Sequence, residues 1–129
     1  MSAGEAMQRE EGRVTVVYLD GELGLPELAE VSEELLRLAS AGRARVVLDL
    51  SGVPHLDYRG VRALAARAQL LRRQGGDLKL SGLSPYLEAI VRAAGAHSMV
   101  ERFASAGEAQ RAFGRMGAGA PERPFASVA

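Results

Sequence analysis

Apolar positions along this chain fall into short blocks whose spacing alternates between strand and helix. Val14 to Leu19 is a β-branched run closed by Gly21, and Glu22-Leu23 predicts a second short strand before Leu25-Pro26. Pro26 suits the first turn of a helix, where its missing N–H is not needed. Leu28, Val31, Leu35, Leu38 and Ala39 then recur at helical spacing until Gly42. Glu33 and Arg37 lie four apart on this helix and are expected to pair. Arg45 to Leu50 is nearly continuous in apolar residues, the pattern of a strand covered on both faces. The next helix starts at Asp57 and runs to about Gln74, with Val61, Leu64, Ala65, Ala68 and Leu71 as its inner stripe, and Gly75-Gly76 stops it.

Asp77 to Ser81 supplies a further strand centred on Leu78 and Leu80. Ser84-Pro85 reads as a helix cap and first-turn proline, followed by Leu87, Ile90, Val91 and Ala94 on one face and Gly95 at the end. A short strand is expected near Met99 to Phe103, and Ser105 to Glu108 has the spacing of a capping box for a last helix. Residues 1–12 are polar and read as a flexible arm, and from Gly114 to the C-terminus the Gly, Ala and Pro content predicts a disordered tail. The order of elements implies one α/β domain over residues 13–113, with a mixed four- or five-stranded sheet and four helices.

Composition narrows the function. Sixteen basic side chains balance sixteen acidic ones, so no global field recruits nucleic acid or an anionic membrane. The absence of Cys excludes disulfides, thiolate catalysis and Cys-based zinc sites. No stretch approaches the roughly 20 apolar residues of a membrane span, so a soluble protein is expected, with the cytoplasm as its default compartment.

Enzyme chemistry finds little to work with. His55 and His97 are the only histidines, and neither has a carboxylate or Ser partner at a recognisable spacing. Gly21-x-x-Gly24 is too short for a dinucleotide fingerprint, and Gly75-Gly76 ends a helix rather than opening one. No metal and no cofactor is expected. Asp49, late in a buried strand, reads as a cap for the loop backbone. Asp57 reads both as a helix cap and as part of a recognition loop. On the helix it opens, Arg59, Arg62, Ala63, Ala66, Leu70 and Arg73 fall opposite the inner stripe. Small residues rimmed by guanidinium groups suit a protein–protein patch, or else form a solvated basic face. The first helix presents carboxylates instead.

Taken together, Val46-Val-Leu-Asp-Leu-Ser-Gly-Val-Pro-His-Leu-Asp57, Gly60, an Ala/Leu-rich helix, residues 75–85 (GGDLKLSGLSP) and 93–96 (AAGA) resemble the STAS domain of bacterial anti-sigma factor antagonists and sulfate transporters. Gly21-Glu22-Leu23 and Glu108-Ala109 fit as well, and the resemblance covers about residues 13–113. It implies a non-enzymatic partner switch, in which the antagonist binds a serine-kinase anti-sigma factor and is turned off by phosphorylation just after the Asp. A phosphate acts there by adding about −1.5 to −2 charge at an interface.

Two departures fall on that face. Tyr58 stands at the phosphorylatable Ser or Thr position and Arg59 at the following small residue, while Gly24 replaces an Asp often found after G-E-L. No phosphorylation is therefore expected. The partner-binding loop and helix face comprise Asp57, Tyr58, Arg59, Gly60, Arg62, Ala63 and Ala66. Three readings remain: an antagonist-like protein without the serine switch, a STAS scaffold in a signalling complex or lipid-transport ABC system, and a nucleotide- or anion-binding module at the Asp57 helix start. Homodimerisation is left open.

Overall fold

The computed structural model describes residues 5–11 and 13–117, with side chains from 13 to 114. Strands β1 (Glu5–Glu11), β2 (Val14–Asp20), β3 (Arg45–Gly52), β4 (Asp77–Ser81) and β5 (Glu101–Phe103) form one sheet in sequence order. β2 to β5 are parallel and β1 is antiparallel to β2, so the sheet is mixed. Helices α1 (Leu25–Ser40), α2 (Tyr58–Arg73), α3 (Pro85–Ala93) and α4 (Ala106–Gly117) connect and follow the strands.

Alternation along the strands divides the core in two. Val17, Leu19, Val46, Leu48, Leu50, Leu78 and Leu80 pack with the inner stripes of α1, α2 and α3. The opposite face carries Val14, Val16 and Val47 against Ala109 and Phe113 of α4. Lys79, only 3% exposed, lies on that face. Its ammonium donates to Asp77 and Glu101 at 3.3 and 2.5 Å and sits 4.7 Å from the Phe113 ring centre.

Several expectations change. Residues 5–11 are a strand, not an arm: a two-residue connection through Arg13, whose φ is +76°, pairs Glu11 with Val14. The open backbone edge of β2 recruits this strand, which needs no apolar alternation to signal it. Glu22-Leu23 shrinks to a single bridge between Leu23 and Leu56. Arg37 pairs with Glu34 rather than Glu33. α4 runs on to Gly117, so residues 114–117 of the expected tail are helical, and 118–129 lie outside the described residues.

Candidate functional site

The loop that ends β3 and starts α2 is held from two directions. Leu23 N–H donates to His55 O at 3.0 Å and Asp57 N–H donates to Leu23 O at 2.9 Å, which clamps the 21–24 loop beside it. From the other side, the Tyr86 hydroxyl in the first turn of α3 lies 2.7 Å from His55 Nδ1, with the rings stacked at 5.7 Å. Ser84 starts α3 by accepting from Leu87 N–H. The site thus sits beyond the C-terminal ends of the parallel strands, where open α/β sheets commonly place their binding sites.

Asp57 caps α2 and is fully engaged. Its carboxylate accepts from the Arg59 backbone N–H at 3.0 Å and from the Arg59 guanidinium at 3.0 and 2.6 Å. The guanidinium hydrogen bonds, followed by the backbone one, lower the Asp57 pKa to about 2. The same pairing raises that of Arg59. A free anion at this helix start would have to displace the Asp57 carboxylate, which counts against the anion-binding reading.

The seven residues expected to form the partner face do not all share it. Tyr58 and Arg59 are exposed in the first turn, and Arg62, Ala63 and Ala66 are exposed along α2. Arg62 leans towards α3, where it donates to Gly95 O at 3.4 Å. Gly60 points inward instead. A Cβ there would lie 2.8 Å from Leu28 Cδ1 and 3.2 Å from Leu25 Cδ2, so its lack of a side chain lets α1 approach α2. Its role is packing, whereas the family resemblance had grouped it with the recognition loop.

Sequence reasoning missed His55 and Tyr86 as a pair, because 31 residues separate them. With Leu56, Tyr58, Ala89, Ile90 and Ala93 they line an open groove of about 450 Å³ between the α2 start and α3. Tyr58 and Tyr86 are 58% and 54% exposed, more than any other large hydrophobic side chain among those described. Ala89 and Ala93, four residues apart on α3, were the available hint of a narrow outer face there. Asp49 caps the loop backbone as expected, accepting from Ser51 N–H at 3.4 Å, and also accepts from the hydroxyls of Ser51 and Ser81 at 3.0 and 3.2 Å, while Gly82, with φ +75°, leaves room for it. Among the described residues no cluster of His, Asp or Glu is arranged to hold a metal. No described helix is long and apolar enough to cross a membrane.

The STAS domain family matches residues 5–109. The chain belongs to the STAS domain family. Solved STAS-like structures share its fold. A Thermotoga maritima putative anti-sigma factor antagonist superposes with a TM-score of 0.74 at 15% identity, covering 83% of this chain and 92% of that one. An anti-sigma factor antagonist from Mycobacterium paratuberculosis gives 0.73 at 20%, covering 87% and 97%. A Wolinella succinogenes sulfate transporter family protein gives 0.68 at 19%, covering 84% and 89%. A comparison with curated protein sequences finds no match. In this STAS domain the Asp57–Arg59 fork and the Tyr58 ring occupy the loop where the sequence resemblance places a serine switch.

Proposed function

We propose that this STAS domain is a non-enzymatic, cytoplasmic partner-binding module of the anti-sigma factor antagonist type, which docks on a serine-kinase anti-sigma factor or a related signalling protein without a serine phospho-switch. The observation that carries this reading is the exposure of Tyr58 and Tyr86 on the rims of one groove that Ala89 and Ala93 also line, with Arg62 reaching towards α3 nearby. Aromatic rings and Arg around small apolar side chains make up the anchoring centres of protein interfaces. Asp57 and Arg59 neutralise each other, so the loop offers contact area without an unbalanced charge. The Tyr58 phenol stands several bonds further from the backbone than a Ser hydroxyl, beyond the reach of serine-kinase geometry. The antagonist-like structural neighbours support the partner class, and the same fold in a sulfate transporter family protein means that the partner, not the fold, separates this reading from a scaffold role.

Calorimetry with the purified serine-kinase anti-sigma factors of the native host tests the proposal. Binding that Tyr86→Ala and Arg62→Glu weaken by about tenfold or more, with unchanged melting curves, is the expected result. No complex with any of them at about 100 μM would overturn it. Incubation with the same kinase and ATP should leave the 57–60 loop unmodified by intact mass.

A further inference from the structure

The α1/α2 side of the helix layer carries a second surface, which shares Arg62 with the edge of the groove at α3. α1 and α2 run parallel: their starts meet where Gly60 touches Leu25 and Leu28, and their ends flank one cleft lined by Gly42, Gln74 and Gly75. Leu25 touches α2, and Leu36 follows eleven residues later, three helical turns on and on the same side. Both are exposed, at 39% and 37%, and exposed Ala63 stands one turn beyond Gly60 across the seam. The outer flanks have opposite sign. α1 holds Glu27, Glu30, Glu33 and Glu34 with a single Arg, already paired to Glu34. α2 has no acidic residue; Arg59 and Arg72 are paired to Asp57 and Asp77, which leaves Arg62 and Arg73 exposed on its outer side.

We infer that this face is self-complementary and binds a second copy of the chain about a two-fold axis running along the α1/α2 seam. Rotation about that axis lays α1 of each copy over α2 of the other and preserves height along the helices. Leu28 and Gly60 are level, so Glu30 stands level with Arg62. By helical spacing Glu30 leans away from the seam, and Arg62 leans away on the other side towards α3, so rotation brings each Glu30 to the other copy's Arg62. Leu25, Leu36 and Ala63 meet their counterparts along the axis, giving an apolar centre between charged rims. Among the described residues Glu30 and Glu33 have no ion-pair partner, so these carboxylates are available. A foreign partner would match one flank; the chain itself supplies both. Isologous contacts of this kind close as dimers. Two helices about 24 Å long offer roughly 500 Å² per copy, the lower end of specific interfaces, so the dimer is weak and salt-sensitive.

The inference does not rest on the proposed partner, and its test uses the chain alone. Sedimentation velocity at low salt should show a dimer that dissociates as ionic strength rises from about 50 to 500 mM. Glu30→Arg and Arg62→Glu should each raise the dissociation constant about tenfold or more, since each places like charges opposite one another twice. Mixing the two variants should restore dimers, because in that heterodimer both pairs are again of opposite sign. Circular dichroism melts matching the native chain show that the variants remain folded. A monomer at about 1 mM and low salt would overturn the inference. So would a dimer indifferent to both variants, or a mixture that stays monomeric.

Discussion

The Tyr86 hydroxyl and His55 Nδ1 meet across 2.7 Å, tying the first turn of α3 to the loop that delivers Asp57 to α2. Tyr86→Phe keeps the ring and removes this bond. Because the pair is exposed, the expected loss in unfolding free energy is about 0.5 kcal/mol. Amide exchange in residues 53–57 should nevertheless accelerate clearly. Urea denaturation and hydrogen exchange check the two halves; unchanged exchange would mean that the Leu23 clamp alone holds the loop.

Asp57 should stay ionised to unusually low pH. Its carboxyl is lowered from 3.8 to about 2 by the Arg59 guanidinium and then by the Arg59 N–H. Since the folded value is the depressed one, the stability it contributes is complete above the ordinary carboxylate range and fades as pH falls through 2. Arg59→Ala leaves only the backbone donor, so the pKa should rise part of the way back. Carbon-detected NMR titration of Asp57 reads this directly, and an unmoved value in the variant would show that the guanidinium is not its cause.

Gly60→Ala decides between two opposed effects. Alanine favours a helix over glycine by about 1 kcal/mol. The added Cβ would lie 2.8 Å from Leu28 Cδ1, on a buried side chain with little freedom to retreat. Overpacking costs about 1–3 kcal/mol, so a net loss of roughly 1 kcal/mol is expected. A stabilised variant in urea denaturation would contradict the close α1–α2 contact.

Leu64→Asp and Arg62→Glu separate the inner and outer faces of α2. Leu64 is 3% exposed, and a carboxylate there has no partner to offset its burial, so that variant should be largely unfolded. Arg62→Glu should melt within a degree or two of the native chain, as exposed changes do. Equal loss of structure by circular dichroism would reverse the assignment of faces.

Tyr58→Ser tests whether geometry alone removed the switch. With the hydroxyl at the family's position, a cognate kinase and ATP should add one phosphate to the variant and none to the native chain, read by intact mass. If the variant also stays unmodified, Arg59 and its fork to Asp57 block the loop as well.

Periodicity alone placed α1, α2 and α3 and strands β2 to β4, because each buries one face whose spacing survives in the residue order. It could not show β1, which is held by the backbone edge of β2 and whose residues are polar. Lys79 was hidden for the opposite reason: Asp-Leu-Lys-Leu-Ser alternates like a half-exposed strand, yet α4 covers the polar side too. At the site, the Asp57 cap was readable from its position before the helix. The His55–Tyr86 pair and the inward Gly60 were not, since both depend on which helices end up side by side.

The sheet is unevenly roofed. Three helices cover one face with a large aliphatic core, and among the described residues α4 alone covers the other. Lifting α4 gives up few apolar contacts and returns the Lys79 ammonium to water, which offsets part of that loss. The domain therefore has a firm side and a loose side, and α4 is the element expected to exchange its amides first while the three-helix layer stays closed.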